Sequence, residues 1–313
     1  MSETLNPYQK CTLCPRRCQA DRTNGASGRC HSDDRLSVAR ISLHPWEEPC
    51  ISGEKGSGTV FFTGCSLGCV YCQNGAISHF KNPKDNNFKT YTEEELAEGF
   101  LRLQDNGAAN INLVTPDHHM PKIDRAISIA RSKGLVLPIV CNTSGYQTEE
   151  NLRKYYGQVD IFLTDFKYME ANLSERLSGV RNYPEIAKAA LKTMFDMVGE
   201  PVFDESPASS PILLKKGIIV RQLVLPAHKK NSKAVLDYLH ENFGDKIYVS
   251  IMNQYTPPET LKEEYKEISR RLTRREYENV IDYAISLGMK NVYIQEGDTA
   301  KESFIPDFSE SPF

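Results

Sequence analysis

The 313-residue sequence has a single tryptophan, a formal net charge of only −3, and no apolar run approaching the roughly 20 residues that a membrane-spanning helix needs. A chain this close to neutrality carries no electrostatic footprint for nucleic acid. Residues 1–4 also lack the basic and then apolar pattern of a secretion signal. We therefore expect a cytoplasmic protein that binds neither membrane nor nucleic acid.

Cysteine, by contrast, is abundant: there are nine residues, and seven of them fall in two tight groups. In a chain without a secretion signal, such groups favour metal ligation over disulfides. We expect the two remaining thiols, Cys50 and Cys141, to be buried apolar side chains. At 40% hydrophobic residues, the chain is long enough for one large α/β domain plus a small appendage.

The first group, Cys65, Cys69 and Cys72, follows the apolar residues 59–63 with the spacing C-x3-C-x2-C. Iron–sulfur clusters normally take four cysteine ligands, so three thiolates leave one iron of a four-iron cluster open to a small molecule. Structural zinc requires four ligands, commonly in C-x2-C pairs, and this triplet has no local fourth ligand. The spacing therefore predicts a [4Fe-4S] cluster with an open iron.

This motif, in a loop after a first strand and with Tyr71 before the last cysteine, resembles the signature of radical S-adenosylmethionine (SAM) enzymes. The resemblance implies that the open iron binds the amino and carboxylate groups of SAM's methionine, with Tyr71 at the cofactor. Reductive cleavage of SAM then gives a 5′-deoxyadenosyl radical, which abstracts hydrogen from a substrate. It also implies an electron donor such as flavodoxin or ferredoxin.

The second group, Cys11, Cys14, Cys18 and Cys30, has the spacing C-x2-C-x3-C-x11-C. Four thiolates form a closed set that can saturate zinc or a second iron–sulfur cluster. If this site transfers electrons it would hold iron, and if it only stabilises the fold of a short N-terminal segment it would hold zinc. A thiol–disulfide oxidoreductase is a third interpretation, which Cys18 and Cys30 disfavour. We predict an N-terminal Cys-rich metal-binding segment over residues 1–50.

Strands and helices alternate along the rest of the chain. Thr92 with Glu95, and Thr273 with Glu276, form capping boxes that predict helix starts. Apolar, β-branched strands alternating with helices indicate an α/β fold with a parallel sheet. The predicted strands cover residues 59–63, 110–114, 135–140, 160–164, 218–225, 247–252 and 292–294.

The same resemblance implies a partial (β/α)6 TIM-like barrel, open on one side, over residues 51–297. In such barrels the chemistry lies at the carboxyl ends of the strands. We expect residues 298–313, which contain prolines and scattered acids, to form a flexible tail.

Polar residues follow the third and fourth predicted strands. The stretches around Thr143 and from Asp165 to Lys167 resemble the Asp-Thr-Asn-Gly and Asp-Leu-Lys stretches of glycyl-radical-enzyme activases, the group of the pyruvate formate-lyase activating enzymes. The resemblance implies that Asn142, Thr143, Asp165 and Lys167 contact SAM. Asn142 stands where the family has an aspartate, near a monovalent cation in some members. An exposed ion pair on a loop is the alternative for Asp165 and Lys167.

Two further positions are candidates for SAM contacts. Arg221 lies inside an apolar strand, where an unpaired charge is costly. Its partner is either SAM's carboxylate, which suits a guanidinium, or a nearby Asp or Glu. Where most of the family carries Gly-Gly-Glu after the second strand, this chain has Thr115, Pro116 and Asp117. Asp117, or the carbonyl groups around Pro116, would then meet the amino group of SAM.

Nearly the whole chain resembles a branch of pyruvate formate-lyase activating enzyme-like proteins. The resemblance implies an oxidoreductase whose substrate is a glycine of a partner glycyl radical enzyme, which needs a barrel mouth wide enough for an inserted loop. Radical modification of a small molecule or peptide is an alternative and needs a closed pocket. A non-catalytic iron–sulfur or zinc protein, such as an electron carrier or scaffold, is the third and predicts no SAM binding.

Overall fold

A ten-stranded sheet forms the centre of the protein in a computed structural model that describes residues 6–79, 88–204, 212–295 and 308. The sheet runs in the order β10-β9-β8-β6-β5-β4-β2-β1-β3, and β7 pairs with β8 at its side. The strands are β1 (Leu36–His44), β2 (Ser57–Phe62), β3 (Lys89–Tyr91), β4 (Ile111–Val114), β5 (Ile139–Thr143), β6 (Ile161–Asp165), β7 (Val202–Phe203), β8 (Leu214–Leu223), β9 (Tyr248–Met252) and β10 (Val292–Ile294).

Nine α-helices alternate with these strands in the described ranges. Three short 3-10 helices accompany them. The α-helices are α1 (Pro49–Ser52), α2 (Gly75–Ser78), α3 (Glu93–Asp105), α4 (Met120–Ser132), α5 (Glu149–Tyr155), α6 (Ala171–Ser178), α7 (Tyr183–Val198), α8 (Lys229–Phe243) and α9 (Arg274–Ser286).

Seven strands, from β2 through β4, β5, β6, β8 and β9 to β10, pair in parallel. Every residue of β2 and of β4 is buried, so neither strand shows the alternation of buried and exposed positions that a sheet with one solvated face would have. The order of strands starts at β10 and ends at β3, so the sheet is open. The predicted α/β class and partial barrel are confirmed.

Both predicted capping boxes form. The Thr92 side chain accepts a hydrogen bond from the Glu95 backbone N–H at 3.1 Å, and the Glu95 carboxylate accepts one from the Thr92 N–H at 2.9 Å, so α3 begins at Glu93. Thr273 and Glu276 do the same at the start of α9. These contacts satisfy backbone donors that the first helical turn would leave unpaired.

Two strand features differ from the sequence prediction. Residues 36–44 form β1, which lies between β2 and β3 and pairs antiparallel with both; the predicted series of strands omits β1 and the short strands β3 and β7. The third predicted strand also starts later, since β5 begins only at Ile139. Pro138 cannot donate to the sheet ladder and Val136 is 79% exposed, so the strand starts after the proline and Asn142 and Thr143 lie inside its carboxyl end.

The predicted flexible tail falls outside the described residues except for Phe308, whose ring packs edge-on against Phe61 with centroids 5.4 Å apart. Among the helices of the described ranges, none has the length and apolar character required to cross a bilayer.

Candidate active site

A cavity of about 550 Å³ lies at the carboxyl ends of the parallel strands, where barrel enzymes place their chemistry. Most of the site residues predicted from the sequence line it. These are Cys65, Tyr71, Cys69, Cys72, Thr115, Asn142, Thr143, Asp165, Lys167 and Arg221. The fold therefore brings side chains from five separate strand ends to one cavity.

The three-cysteine loop starts immediately after β2. Gly64 turns the chain with φ of +85°, and a Cβ at this position would overlap the Cys30 carbonyl oxygen, so the turn requires glycine. The Gly64 N–H also donates to the Ile77 carbonyl at 2.7 Å, which fixes the loop against α2. Gly68, with φ of +68°, makes the second turn before Cys69. Local backbone chemistry thus directs the loop into the cavity.

The thiols of this loop lie close together in a buried setting. Burial, together with the neighbouring Cys69 and Cys72 thiols, raises the pKa of Cys65 to about 12. The Cys69 sulfur lies 3.0 Å from the Ser178 hydroxyl and the Cys72 sulfur 3.3 Å from the Ser78 hydroxyl. Thiolates are the ligands of iron–sulfur clusters, and hydroxyl donors of this kind help to set a cluster's potential.

The four N-terminal thiols also gather in one place. Cys11, Cys14 and Cys30 are buried and Cys18 is exposed. Burial, together with the thiols of Cys30, Cys11 and Cys18, raises the pKa of Cys14 to about 12. Within residues 6–79, 88–204 and 212–295, no group of His, Cys, Asp or Glu side chains is arranged around a single ion. Four thiols gathered in this way could hold zinc or an iron–sulfur cluster.

Asp165 and Lys167 form an ion pair inside the cavity wall. The Lys167 Nζ lies 2.6 Å from Asp165 Oδ2, with the two side chains 17% and 26% exposed. Burial acts to lower the pKa of Lys167, but the Asp165 charge outweighs burial, so the pKa of Lys167 lies above its usual value. The pair is therefore a half-buried element of the cavity, whereas the alternative interpretation placed it on an exposed loop.

Arg221 adopts the second of the two pairings considered for it. Its guanidinium donates to Glu48 at 2.8 and 2.6 Å and also contacts Glu47. Burial would lower the pKa of Arg221, and the charges of Glu48 and Glu47 raise it well above its ordinary value. Both glutamates come from the loop after β1. The sequence signal for them is the acidic pair within Pro45–Pro49, which lies far from Arg221 along the chain.

Asp117 is the one predicted cofactor ligand that lies away from the cavity. It is buried and accepts hydrogen bonds from Thr143 Oγ1 at 2.9 Å, Gln147 at 2.7 Å and Tyr156 at 3.0 Å. Burial raises its pKa despite these bonds. In this position Asp117 orients Thr143 from behind β5. The neighbouring Thr115 lines the cavity instead.

Thr115 has a positive φ of +57°, which is rare for a β-branched residue. Its N–H donates to the Asn142 carbonyl at 2.8 Å, and this bond ties the end of β4 to β5. Strained backbone of this kind is concentrated at functional sites. The strain and the position together support a role for the Thr115–Pro116 segment at the cavity.

Residues 59–206, which include the three-cysteine loop and the strand ends through β6, match the model of the radical SAM superfamily. The chain therefore contains a radical SAM superfamily domain over these residues. It is 30% identical over 294 residues to "Uncharacterized protein MJ0674" of Methanocaldococcus jannaschii, a match that covers 92% of this chain and 78% of the archaeal protein.

Solved structures give more distant likenesses. SuiB of Streptococcus suis bound to SAM is 18% identical with a TM-score of 0.46, over 74% of this chain and 48% of SuiB. Methylornithine synthase (PylB) is 14% identical with a TM-score of 0.48, over 78% of this chain and 74% of PylB. HydG, a maturase of the [FeFe]-hydrogenase, is 12% identical with a TM-score of 0.49, over 87% of this chain and 55% of HydG. The chain thus spans about half the length of SuiB and HydG, and none of the three indicates its substrate.

Proposed function

We propose that the protein binds a [4Fe-4S] cluster through Cys65, Cys69 and Cys72 and reductively cleaves SAM in the adjoining cavity. The observation that carries this proposal is that the three thiols line the same cavity as Thr143, Asp165 and Lys167. When bound, the cluster supplies the electron that breaks a carbon–sulfur bond of SAM. The chain supplies ligands, orientation and a site shielded from water.

The residues around the thiols form a connected hydrogen-bond network. The Tyr168 hydroxyl lies 2.7 Å from both the Tyr71 hydroxyl and the Ser178 hydroxyl, and Ser178 in turn reaches Cys69. All three hydroxyl-bearing side chains are buried, so the network holds the cysteine loop in one arrangement. At the other strand ends, Asp117 orients Thr143 through a hydrogen bond, and Lys167 orients Asp165 through an ion pair. The polar atoms of Thr143, Asp165 and Lys167 would meet the charged and hydroxyl groups of SAM.

As substrate we propose a glycine on a loop of a partner glycyl radical enzyme, with hydrogen passing to the SAM-derived radical. Two exposed side chains, Trp46 and Arg271, line the same cavity as the buried thiols, so the cavity reaches the protein surface. A loop of a larger molecule can enter an opening of this kind. Reduced flavodoxin or ferredoxin would donate the electron, in the cytoplasm. A small molecule or peptide is the alternative substrate.

We further propose that Cys11, Cys14, Cys18 and Cys30 hold a second iron–sulfur cluster. The proposal is supported by the mutual electrostatic effect of these four thiols, and by the four cysteine ligands that an iron–sulfur cluster normally takes. Metal analysis of the variant lacking Cys65, Cys69 and Cys72 would test this assignment. Iron and sulfide in that variant would support it, and stoichiometric zinc alone would contradict it.

SAM binding to the cluster is tested by electron paramagnetic resonance (EPR) of the anaerobically reconstituted, reduced protein. Adding SAM should change the spectrum of the wild type and leave the spectrum of the Cys65→Ala variant unchanged. A wild-type four-iron cluster that never responds to SAM would contradict the proposal and favour an electron carrier.

The substrate is tested first by whether a glycyl radical enzyme is encoded beside the gene for this chain, and then with that enzyme as the candidate partner. Incubation with the reduced protein and SAM should produce a protein radical and about one 5′-deoxyadenosine per radical, and deuterium on the target glycine should move into that product. If SAM cleavage proceeds but no deuterium is transferred, the small-molecule alternative is favoured.

A further inference from the structure

Arg16 links the N-terminal cysteine segment to the three-cysteine loop. It lies between Cys14 and Cys18 in the sequence, yet its side chain extends to the loop that carries the other cysteines. Its Nε donates to the Ser66 carbonyl at 3.0 Å and its Nη2 donates to the Leu67 carbonyl at 3.0 Å. These two carbonyl groups lie between Cys65 and Cys69, so Arg16 holds the loop segment that joins two cluster ligands.

The same guanidinium binds the end of α6. Its Nη2 donates to the Ser178 carbonyl at 3.0 Å and its Nη1 to the Gly179 carbonyl at 2.8 Å. Carbonyl groups at a helix C-terminus have no partner within the helix, and a cation is favourable there. Arg16 thus satisfies two acceptors of α6 and two acceptors of the cysteine loop with four of its five N–H donors.

The end of α6 is itself part of the cluster environment. The Leu177 carbonyl accepts from the Val70 N–H at 2.9 Å, and the Ser178 hydroxyl lies 3.0 Å from the Cys69 sulfur. Three elements therefore meet at Arg16: the N-terminal thiols, the cysteine loop and the helix end that contacts a ligand sulfur. Through Arg16, the N-terminal segment is hydrogen-bonded to both of the other two.

We propose that Arg16 is a positioning residue that couples occupancy of the N-terminal thiol site to the geometry and reduction of the SAM-binding cluster. The inference depends on the proposed function, because it requires both groups of thiols to hold metal. Metal bound by Cys14 and Cys18 fixes the segment from which Arg16 projects, and Arg16 then holds the Ser66 and Leu67 carbonyl groups. Its four acceptors are carbonyls, not carboxylates, so its positive charge favours the more negative, reduced cluster.

Arg17 is a matched control for Arg16. It is the adjacent residue and has the same charge, but its side chain is 61% exposed and its nearest acid, Glu150, is 4.0 Å away. A general effect of lost positive charge near the cysteines would appear in both Arg16→Gln and Arg17→Gln. An effect through the carbonyl contacts would appear in Arg16→Gln alone.

The test compares wild type, Arg16→Gln, Arg17→Gln, Cys14→Ser and the Arg16→Gln/Cys14→Ser double variant, each reconstituted anaerobically. The readouts are the SAM-responsive part of the EPR spectrum, the midpoint potential of that signal, and the rate at which a chelator removes its iron. We expect Arg16→Gln to lower the potential and to speed iron loss about tenfold, the lower end of the effect of losing an outer-shell partner. Arg17→Gln should match wild type.

Coupling requires that Cys14→Ser shifts the readouts in the same direction and that the double variant is no worse than the stronger single variant. Additive effects, or an Arg16→Gln protein that matches Arg17→Gln, would overturn the proposal. Arg16→Lys keeps the positive charge but lacks the branched guanidinium, so it should retain the wild-type midpoint potential and still lose iron faster than wild type. An Arg16→Lys protein that matches wild type in both the potential and the rate of iron loss would also overturn the proposal. A wild-type protein whose cluster ignores SAM refutes the proposed function instead.

Discussion

Replacing Arg221 with methionine would leave Glu47 and Glu48 as two neighbouring carboxylates without their shared cation. Arg221 is 13% exposed and both glutamate side chains are 6% exposed, so water can compensate little of the lost charge. Removing one partner of a buried ion pair costs about 3–5 kcal/mol. In a domain of this size, each kcal/mol lowers the melting temperature by roughly 2–4 °C, so Arg221→Met should lower it by about 10 °C.

The pH dependence of this loss has a definite sign. Burial acts to raise the pKa of Glu48, but the charge and hydrogen bonds of Arg221 outweigh burial and place it below the ordinary value of 4.5. In the wild type this contribution to stability is present above pH 4.5 and is lost as the pH falls through the folded-state pKa. Without Arg221, burial and repulsion from the neighbouring carboxylate raise the pKa of Glu48. The penalty in Arg221→Met should therefore be largest at pH 7 and smaller at pH 5.

Thermal unfolding of reconstituted wild type, Arg221→Met and the control Arg153→Met would measure the effect at both pH values. Arg153 pairs with Asp196 on the surface, where the side chains are 55% and 47% exposed, so its loss should cost at most about 1 kcal/mol. Suppose instead that Arg221→Met melts like the control at pH 7 and binds SAM tenfold more weakly. That result would refute the structural pairing and restore SAM's carboxylate as the partner of Arg221.

Three further predictions concern the cavity. Asp165→Asn or Lys167→Met should keep the cluster but weaken SAM binding by roughly ten- to a hundredfold, since one charge-assisted hydrogen bond is worth about 1.5–3 kcal/mol; unchanged affinity by calorimetry in both variants would return the pair to a structural role. Cys65→Ala should abolish SAM cleavage, whereas Cys30→Ala should only slow it; loss of the SAM-responsive EPR signal in Cys30→Ala would reverse the cluster assignment. Tyr71→Phe removes a buried hydroxyl that contacts Tyr168, and should cost about 1–3 kcal/mol in unfolding experiments while the cluster remains; wild-type stability would show that the network is unimportant.

The parallel core was predictable because its signals are local. Continuous apolar strands and two capping boxes depend only on neighbouring residues, and they located β2, β4, β6 and both helix starts to within a few residues. The antiparallel strand β1 was not predicted, and its burial alternates only irregularly along Leu36–His44. Its pairing with β2 and β3 depends on tertiary contacts, which the residues next to it in the sequence do not indicate.

The candidate site was predictable as a set of positions, but the partners of the charged groups were not. Motif spacing and position at the ends of predicted strands selected Cys65, Thr143 and Lys167 as site residues, and all three line one cavity. Which acid meets Arg221 depends on the loop after β1 reaching β8 across 173 and 174 residues of sequence, a tertiary contact. For the same reason the sequence did not show that Asp117 turns away from the cavity toward Tyr156.

The most direct test of the account is the fate of SAM in the anaerobically reconstituted protein after reduction. Chromatography of the reaction should show 5′-deoxyadenosine and methionine formed together in wild type, and neither product above background when Cys65, Cys69 and Cys72 are replaced by alanine. A wild-type protein with a complete, reduced four-iron cluster that leaves SAM intact would contradict the central claim.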